Sequence, residues 1–316
     1  MKMTDFIKSY PEVIDGFRWG TGLGLFQSTT WIMVFEGSPR FKNWMCLSIW
    51  KSDNCILIFP FSVCTDHSLK LVPNRFSDYT DAIGRCAQDE GADVAEALIG
   101  FARAEKVNFA TRTLYPNGNF HRIVRSLVHK APLSELVIRR HFQIQLDRLA
   151  KEEIWGRTLK KQRKRLLNSG CNFETLTGQQ ISQRIPTFVD LHKKRWIVDG
   201  IESNLCCTEL TGFVERLVGS TVNVVMYVIQ DSDGALISAR IGFFDGEVYY
   251  DFLTATDPNH WRRSAGMVLL AEIINDLRRT EGVAVVDFMR GEERYKEKLS
   301  NRQVIGLECR FRGYSG

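Results

Sequence analysis

A chain of 316 residues is too long for one small core and long enough for two domains, because single cores stop growing near about 250–300 residues. With 44% hydrophobic and 25% charged residues it lies outside the disordered class. The formal net charge of +5 suggests a polyanionic partner, but six basic residues and no acidic one crowd into the nonapeptide RTLKKQRKR (Arg157 to Arg165), so one element, and not the whole surface, is basic.

The opening segment MKMTDFIKSYPEVIDGF is charged at nearly every turn and holds no apolar run of the length a secretory signal needs. The longest apolar stretches, such as CILIFPF, fall far short of the ~20 residues that span a bilayer, so a cytoplasmic protein without a membrane span is expected. The runs TWIMVFEG, NWMCLSIW and CILIFPFSV, the last two joined by the polar turn KSDN, read as antiparallel strands. After the polar stretch NRFSDYTD, apolar residues (Val94, Ala97, Leu98, Phe101, Ala102) recur at helical spacing across Ala92 to Lys106. VNFATRTL follows as a buried strand, and a short helix is expected near His121 to Val128.

Asp147 to Gly170 reads as the start of a new unit, with a helix ending at the Asn-Ser-Gly signal before Cys171, which sets the expected domains at residues 1–146 and 147–316. Helices over Ile181 to Trp196 and Thr208 to Leu217 come next. A meander of three strands follows, TVNVVMYVIQ, ALISARIGFF and EVYYDFLTAT, whose connections DSDG and DG supply the glycine that tight hairpins need. The chain finishes with a helix (Ser264 to Arg279), a strand (VAVVDFM), a helix (Glu292 to Ser300) and a strand around Ile305 to Phe311. Both halves follow the order antiparallel strands, helix, strand, helix, without a residue-level repeat. The expected class is α+β, with two copies of one fold, each a mixed sheet flanked by helices. The eight cysteines show neither CxxC nor Cys/His ligand spacing, and the adjacent Cys206 and Cys207 are poor geometry for a disulfide, so reduced thiols and no metal are expected.

The segment YYDFLTATDPNHWRRSAGMVLLAEIINDL carries the clearest chemistry. A strand ends at Thr256, a polar loop follows, and a helix starts at Ser264 with Met267, Leu270, Ile274 and Leu277 on one face. The free amides and positive dipole end of a first turn, with Gly266 letting an anion approach the main chain and Arg262 and Arg263 adding charge, suit a pyrophosphate. The plainer alternative makes Ser264 an N-cap and Gly266 a tolerated helix breaker.

Strand, Arg-Arg-Ser-Ala-Gly, amphipathic helix and strand resemble the acetyl-CoA site of the GNAT acyltransferases. More narrowly, Arg240 to Lys296, with ARIGFFDGEVYYDFLTATDP, RRSAGMVLLAEII and VVDFMRGEERYK, is similar to the CelD-like acetyltransferase family linked to bacterial polysaccharide synthesis. RFSDYTD, KKQRKRL and LHKKRW extend the likeness over most of the chain. Ala265 stands where that family commonly has proline, and Arg262 supplies only the first position of the wider GNAT loop motif.

The resemblance implies two tandem GNAT-like domains, the first without CoA. The second would hold an acyl-CoA, acetyl-CoA in the simplest case, by Leu253, Thr254 and Ala255 at the strand end and by Arg262, Arg263, Ser264, Ala265, Gly266 and Met267 of the loop and helix. It implies direct attack by an amine or hydroxyl acceptor, in polysaccharide or cell-envelope synthesis, without a covalent enzyme intermediate or a metal. In such a fold the strand holding Val285 to Phe288 splays from its neighbour and the thioester lies in the opening. Tyr295 would protonate the leaving thiolate, and Asp251, a carboxylate in an otherwise apolar strand, or His192 would take the acceptor's proton. Arg195, Trp196, Arg290 and Lys296 would meet the acceptor, although Asp287, Arg290 and Lys296 also read as an ion-pair network. The acceptor is expected to be a small molecule or saccharide. The basic helix leaves an anionic one open, and the lack of aromatic interleaving argues against nucleic acid. Two alternatives stand: a Fem-type transferase of the same paired fold, which takes aminoacyl groups from tRNA, and a non-catalytic scaffold of a polysaccharide-synthesis complex.

Overall fold

The structure is a computed structural model that describes residues 24–312 apart from 37–43, 52–53, 65–67, 72–76, 85–86, 88–89, 117, 131–132, 151–153, 199 and 201–207. The opening segment and Cys206–Cys207 lie outside the described residues. Contacts divide the chain into two units, Met1–Arg140 with Val304–Gly316, and His141–Gln303. The expected boundary after residue 146 therefore shifts, and the final strand changes units.

Among the described residues the first unit begins with a 3₁₀ turn, Leu25–Gln27, and then a helix, Thr29–Glu36 (α1), where a strand was expected. Ser28 caps it, its Oγ accepting from the Trp31 amide at 3.2 Å. Trp31 and Val34, one turn apart, are buried while Met33 is exposed. A continuous apolar run cannot by itself distinguish strand from helix, and here the cap and the spacing of the buried residues decide. Trp44–Lys51 (β1) pairs antiparallel with Asn54–Val63 (β2), which also pairs with Ser68–Leu71 (β3) and Ile83–Gly84 (β4). Gly91–Ala104 (α2), Asn108–Ala110 (β5), Asn119–Lys130 (α3) and Leu133–Gln145 (β6) follow. In this unit's core Phe59 stacks on Phe61 and meets Phe120 edge-on, Phe61 tilts against Phe109, and Val94 and Leu98 of α2 belong to the same cluster.

Two residues of the RFSDYTD segment are scaffold. Asp81 accepts from the amides of Ala82, Asn119 and Phe120 at 2.8, 2.9 and 2.7 Å, which satisfies the start of α3. Ser77 accepts the indole N–H of Trp31 at 3.1 Å and so anchors α1.

The second unit contains Arg157–Asn168 (α4), Asn172–Thr177 (β7), Gln179–Val198 (α5), Thr208–Val218 (α6), Asn223–Gln230 (β8), Leu236–Asp245 (β9) and Val248–Thr256 (β10). Ala265–Leu277 (α7), Val285–Asp287 (β11) and Arg294–Leu299 (α8) complete it. β7 to β10 form an antiparallel meander, and β11 joins it parallel to β10 and antiparallel to Gln143–Gln145 at the end of β6. Helix α7 packs on β8, β9 and β10, and α5 on β7, β9 and β10. The class is the expected α+β, with mainly antiparallel strands and helices against them.

The last strand, Arg302–Arg312 (β12), pairs antiparallel with β5, Arg310 opposite Ala110. It sends Leu307, Cys309 and Phe311 into the first core, which is why residues 304–316 belong to the first unit.

Candidate active site

β11 accompanies β10 only from Val248 to Tyr250, so Asp251 to Thr256 continue without a β11 partner. At the same point the β9–β10 register slips between Asp251 and Leu253, a bulge that turns the strand. Leu253 and Thr254 are half-buried there and Ala255 is buried. The expected polar loop after Thr256 is a 3₁₀ turn, Pro258–Arg263, capped by Asp257, which accepts from the Asn259 amide at 2.8 Å.

Ser264 does not cap α7 with its side chain. It sits in the left-handed region at φ 51°, ends the 3₁₀ turn and lets the helix begin at Ala265. Its amide donates to the Trp261 carbonyl at 2.8 Å, and the Met267 amide donates back to the Ser264 carbonyl at 3.0 Å. The amides of Ala265 and Gly266 have no acceptor among the described residues. The expected cradle from Ser264 to Met267 thus narrows to Ala265 and Gly266. A Cβ on Gly266 would lie 2.7 Å from Thr256 Oγ1, which hydrogen-bonds Ser238 Oγ at 2.8 Å. The close approach that this glycine permits is that of α7 to β10, and not that of an anion from the Cβ side.

Arg262 and Arg263 are exposed beside this turn. Arg263 donates to Ser169 Oγ at 3.3 Å, just past α4, and Gln162 of α4 reaches the Arg262 carbonyl at 3.5 Å. The basic helix therefore borders the candidate phosphate loop, whereas the sequence assigned it to the acceptor. Its Arg163 is committed elsewhere, paired with Glu272 of α7 and lying over the rings of Trp155 and Phe173. Arg157, Lys160, Lys161, Lys164 and Arg165 face solvent.

Asp251 belongs to a buried cluster that bridges the β9–β10 hairpin. Its Oδ2 pairs with Arg240 Nη1, both side chains almost fully enclosed. The guanidinium also lies over Tyr295, 5.7 Å from the ring centroid. Burial works against the Arg240 charge, but Asp251 and then Tyr295 outweigh it and hold the group above its ordinary value. Burial and the Asp251 carboxylate push Tyr249 well up, so its phenol stays protonated. Asp251 Oδ1, Arg240 Nε and the Tyr249 hydroxyl are buried without a hydrogen-bond partner among the described residues. Gly242 makes room for this arrangement, since a Cβ there would strike the Tyr249 hydroxyl.

His192 is buried on α5, where its Nε2 accepts the indole N–H of Trp196 at 3.0 Å. Burial, and then the Arg195 charge, pushes its pKa down to about 4. The ring is neutral, as a base must be, but the Nε2 lone pair is already engaged. Arg195 stacks on Trp196 at 5.0 Å from the ring, so these expected acceptor residues meet each other and His192 on one helix.

In DFMRGEERYK, Asp287 accepts from Gln143 Nε2 at 2.8 Å and from the Met289 amide at 2.6 Å. Met289 is left-handed at φ 56°, and His141 Nδ1 lies 3.2 Å from its carbonyl. Lys296 is buried; its ammonium donates to the Arg290 carbonyl at 2.6 Å and pairs with Glu293 at 2.9 Å. Its charge closes the loop from Arg290 to Glu293 from inside. Arg290 is half-buried in this loop.

The sequence reading missed Arg240, Tyr249 and the Ser238–Thr256 pair. Arg240 carried the same signal as Asp251, a lone charge in an apolar strand, and the two lie on successive strands of one hairpin. Among the described residues, no group of three or more His, Cys, Asp or Glu side chains could hold a metal ion, and no helix is long and apolar enough to cross a membrane.

The model of the acetyltransferase (GNAT) domain family matches residues 156–297, all within the second unit. No curated protein sequence matches the chain. Among solved structures the chain is similar to FemX at 9% identity and TM-score 0.63, covering 94% of this chain and 95% of that one. It is also similar to L-PGS from Bacillus licheniformis, at 12% identity and TM-score 0.59 with coverage of 97% and 93%. A third is the C-terminal domain (DUF2156) of a putative lysylphosphatidylglycerol synthetase from Agrobacterium fabrum, at 12% identity and TM-score 0.57 with coverage of 95% and 91%. Identities this low carry the fold alone. Residues 156–297 of the second unit thus match a GNAT-type acetyltransferase domain, a fold that supports acyl transfer.

Proposed function

We propose that this chain transfers an acyl group from acyl-CoA to an amine or hydroxyl acceptor by direct attack, with the second unit holding the donor. One observation carries the reading. The strand edge from Asp251 to Thr256 leads into a turn where the Ala265 and Gly266 amides, the positive end of α7 and the exposed Arg262 and Arg263 converge. Those groups suit the pyrophosphate of CoA.

In the proposed reaction the acceptor nitrogen or oxygen attacks the thioester carbonyl, the C–S bond breaks, and the thiolate takes a proton from Tyr295. Arg240 lies over the Tyr295 ring and offers donors only, so it takes no proton from the phenol, whose O–H is left for the sulfur. Asp251 Oδ1, without a partner among the described residues, is the place for the acceptor's proton. His192 then serves as a positioning residue for Trp196. An acetyl donor and a saccharide acceptor in polysaccharide or cell-envelope synthesis follow from the CelD-like resemblance.

Transfer from charged tRNA is the second reading. It is supported by the whole-length likeness in fold to FemX and by the solvent-facing cations of α4. A donor panel of acetyl-CoA, longer acyl-CoAs and charged tRNA separates the two, with melting curves in CoA as the binding arm. We expect CoA to raise the melting temperature by mass action and acetyl-CoA to support turnover. Transfer from tRNA with no melting shift in millimolar CoA would overturn the acyl-CoA reading, and CoA binding without turnover from any donor would favour a scaffold.

A further inference from the structure

The first unit holds a cavity that the acyl-transfer reading does not use, and it lies outside the stretch matched by the acetyltransferase domain family. Its volume is about 500 Å³, within the range of small-ligand sites. Pro116, Val128, Leu136, Val304, Ile305 and Leu307 make an aliphatic wall drawn from α3, β6, β12 and the turn before α3.

His121 and Arg125, one turn apart on α3, are the polar members of the lining, and no acidic side chain joins them among the described residues. His121 is 7% exposed, and neither ring nitrogen has a hydrogen-bond partner among the described residues. Buried polar atoms left in this state are rare and call for an explanation. Burial, and then the charges of Arg125 and Arg122, push the ring below the ordinary histidine pKa, so it is neutral and offers one N–H and one lone pair. Arg125 is exposed at the same cavity and contributes a full positive charge. One cation and one neutral N–H match a monoanion better than a dianion, and a wall without aromatic rings matches a flexible chain better than a planar ring.

We propose that this cavity binds an aliphatic carboxylate, with its chain along the wall and its head between the His121 N–H and the Arg125 guanidinium.

The test is calorimetry of the full chain with sodium octanoate, using octan-1-ol and octan-1-amine as charge controls. One saturable octanoate site with a Kd below about 1 mM is expected. Octan-1-ol should bind about tenfold more weakly or worse, and the amine should not bind. Arg125→Glu changes an exposed side chain and should weaken octanoate at least about tenfold with an unchanged melting temperature. His121→Phe keeps the ring and removes its hydrogen bond, and should also weaken octanoate. Both variants should retain the parent's melting response to CoA, which keeps this result separate from the acyl-transfer reading. No saturation by about 10 mM octanoate, equal affinity for octan-1-ol, or parental affinity in Arg125→Glu would each overturn the proposal.

Discussion

Asp81 and Asp251 are both buried carboxylates, and the protein holds them in opposite ways. Asp81 in the first unit takes the amides of Ala82 and Phe120 on one oxygen and that of Asn119 on the other. Asp251 in the second unit sets one oxygen against Arg240 and leaves the other without a partner among the described residues, beside a Tyr249 hydroxyl in the same state. Burial alone does not separate structure from chemistry. The use of the lone pairs does: a carboxylate spent on backbone amides fixes a helix start, whereas one with a lone pair still open in a charged cluster can move a proton.

The largest effect expected from this contrast is on stability. Asp81→Ala removes three hydrogen bonds to a charged acceptor and strands buried amides at the start of α3. It should cost about 4 kcal/mol in denaturant titration, and a loss under about 1 kcal/mol would break the comparison on the structural side. His192 sharpens the contrast next, as a buried group whose Nε2 is already taken. Its folded pKa of about 4 lies below the ordinary 6.5, so the unfolded chain binds the proton first. The stability owed to the neutral ring is complete above pH 6.5 and drains away as the pH falls toward 4, by about 3 kcal/mol at most. His192→Gln keeps an acceptor for Trp196 and should flatten that part of the pH–stability curve; an unchanged slope would rule His192 out as its source.

Asp251→Asn tests the catalytic side. Turnover should fall about 10²-fold while the melting response to CoA survives, and Asp81→Asn should leave turnover per folded molecule unchanged. Near-parental turnover in Asp251→Asn would make the Arg240 pair purely structural. The smallest effect belongs to Gly266→Ala, whose methyl would crowd Thr256 Oγ1. A loss of about 2 kcal/mol is expected, with partial recovery when Thr256→Ala is added; no loss in the single variant would separate α7 from β10.

Elements fixed by neighbours in sequence were legible. The β8–β10 meander showed in its alternation and its Gly-containing turns, and α7 in its apolar face. What escaped depends on distant partners or on caps. TWIMVFEG is helical because Ser28 caps it, and β6 was overlooked because Arg139, Arg140 and His141 interrupt its apolar pattern. At the site, Asp251 stood out as a misplaced charge, but its pairing with Arg240 depends on hairpin register and a bulge that no local pattern encodes. The need for glycine at position 266 comes from Thr256, on the strand beneath the helix. Nothing local reveals that a loop folds over the Lys296 ammonium.

The pairing of β12 with β5 sets an order of events during synthesis. His141–Gln303 is contiguous, so the second unit has every residue it needs before Val304 leaves the ribosome. The first unit must wait, with β3 on one side of β5 and the other edge open until residues 304–312 arrive. Domains usually fold in the order in which they are made, and here the unit that starts first finishes last. A chain halted before Val304 carries a complete second unit and, in the first, an uncovered strand edge, the kind of template on which association between chains begins.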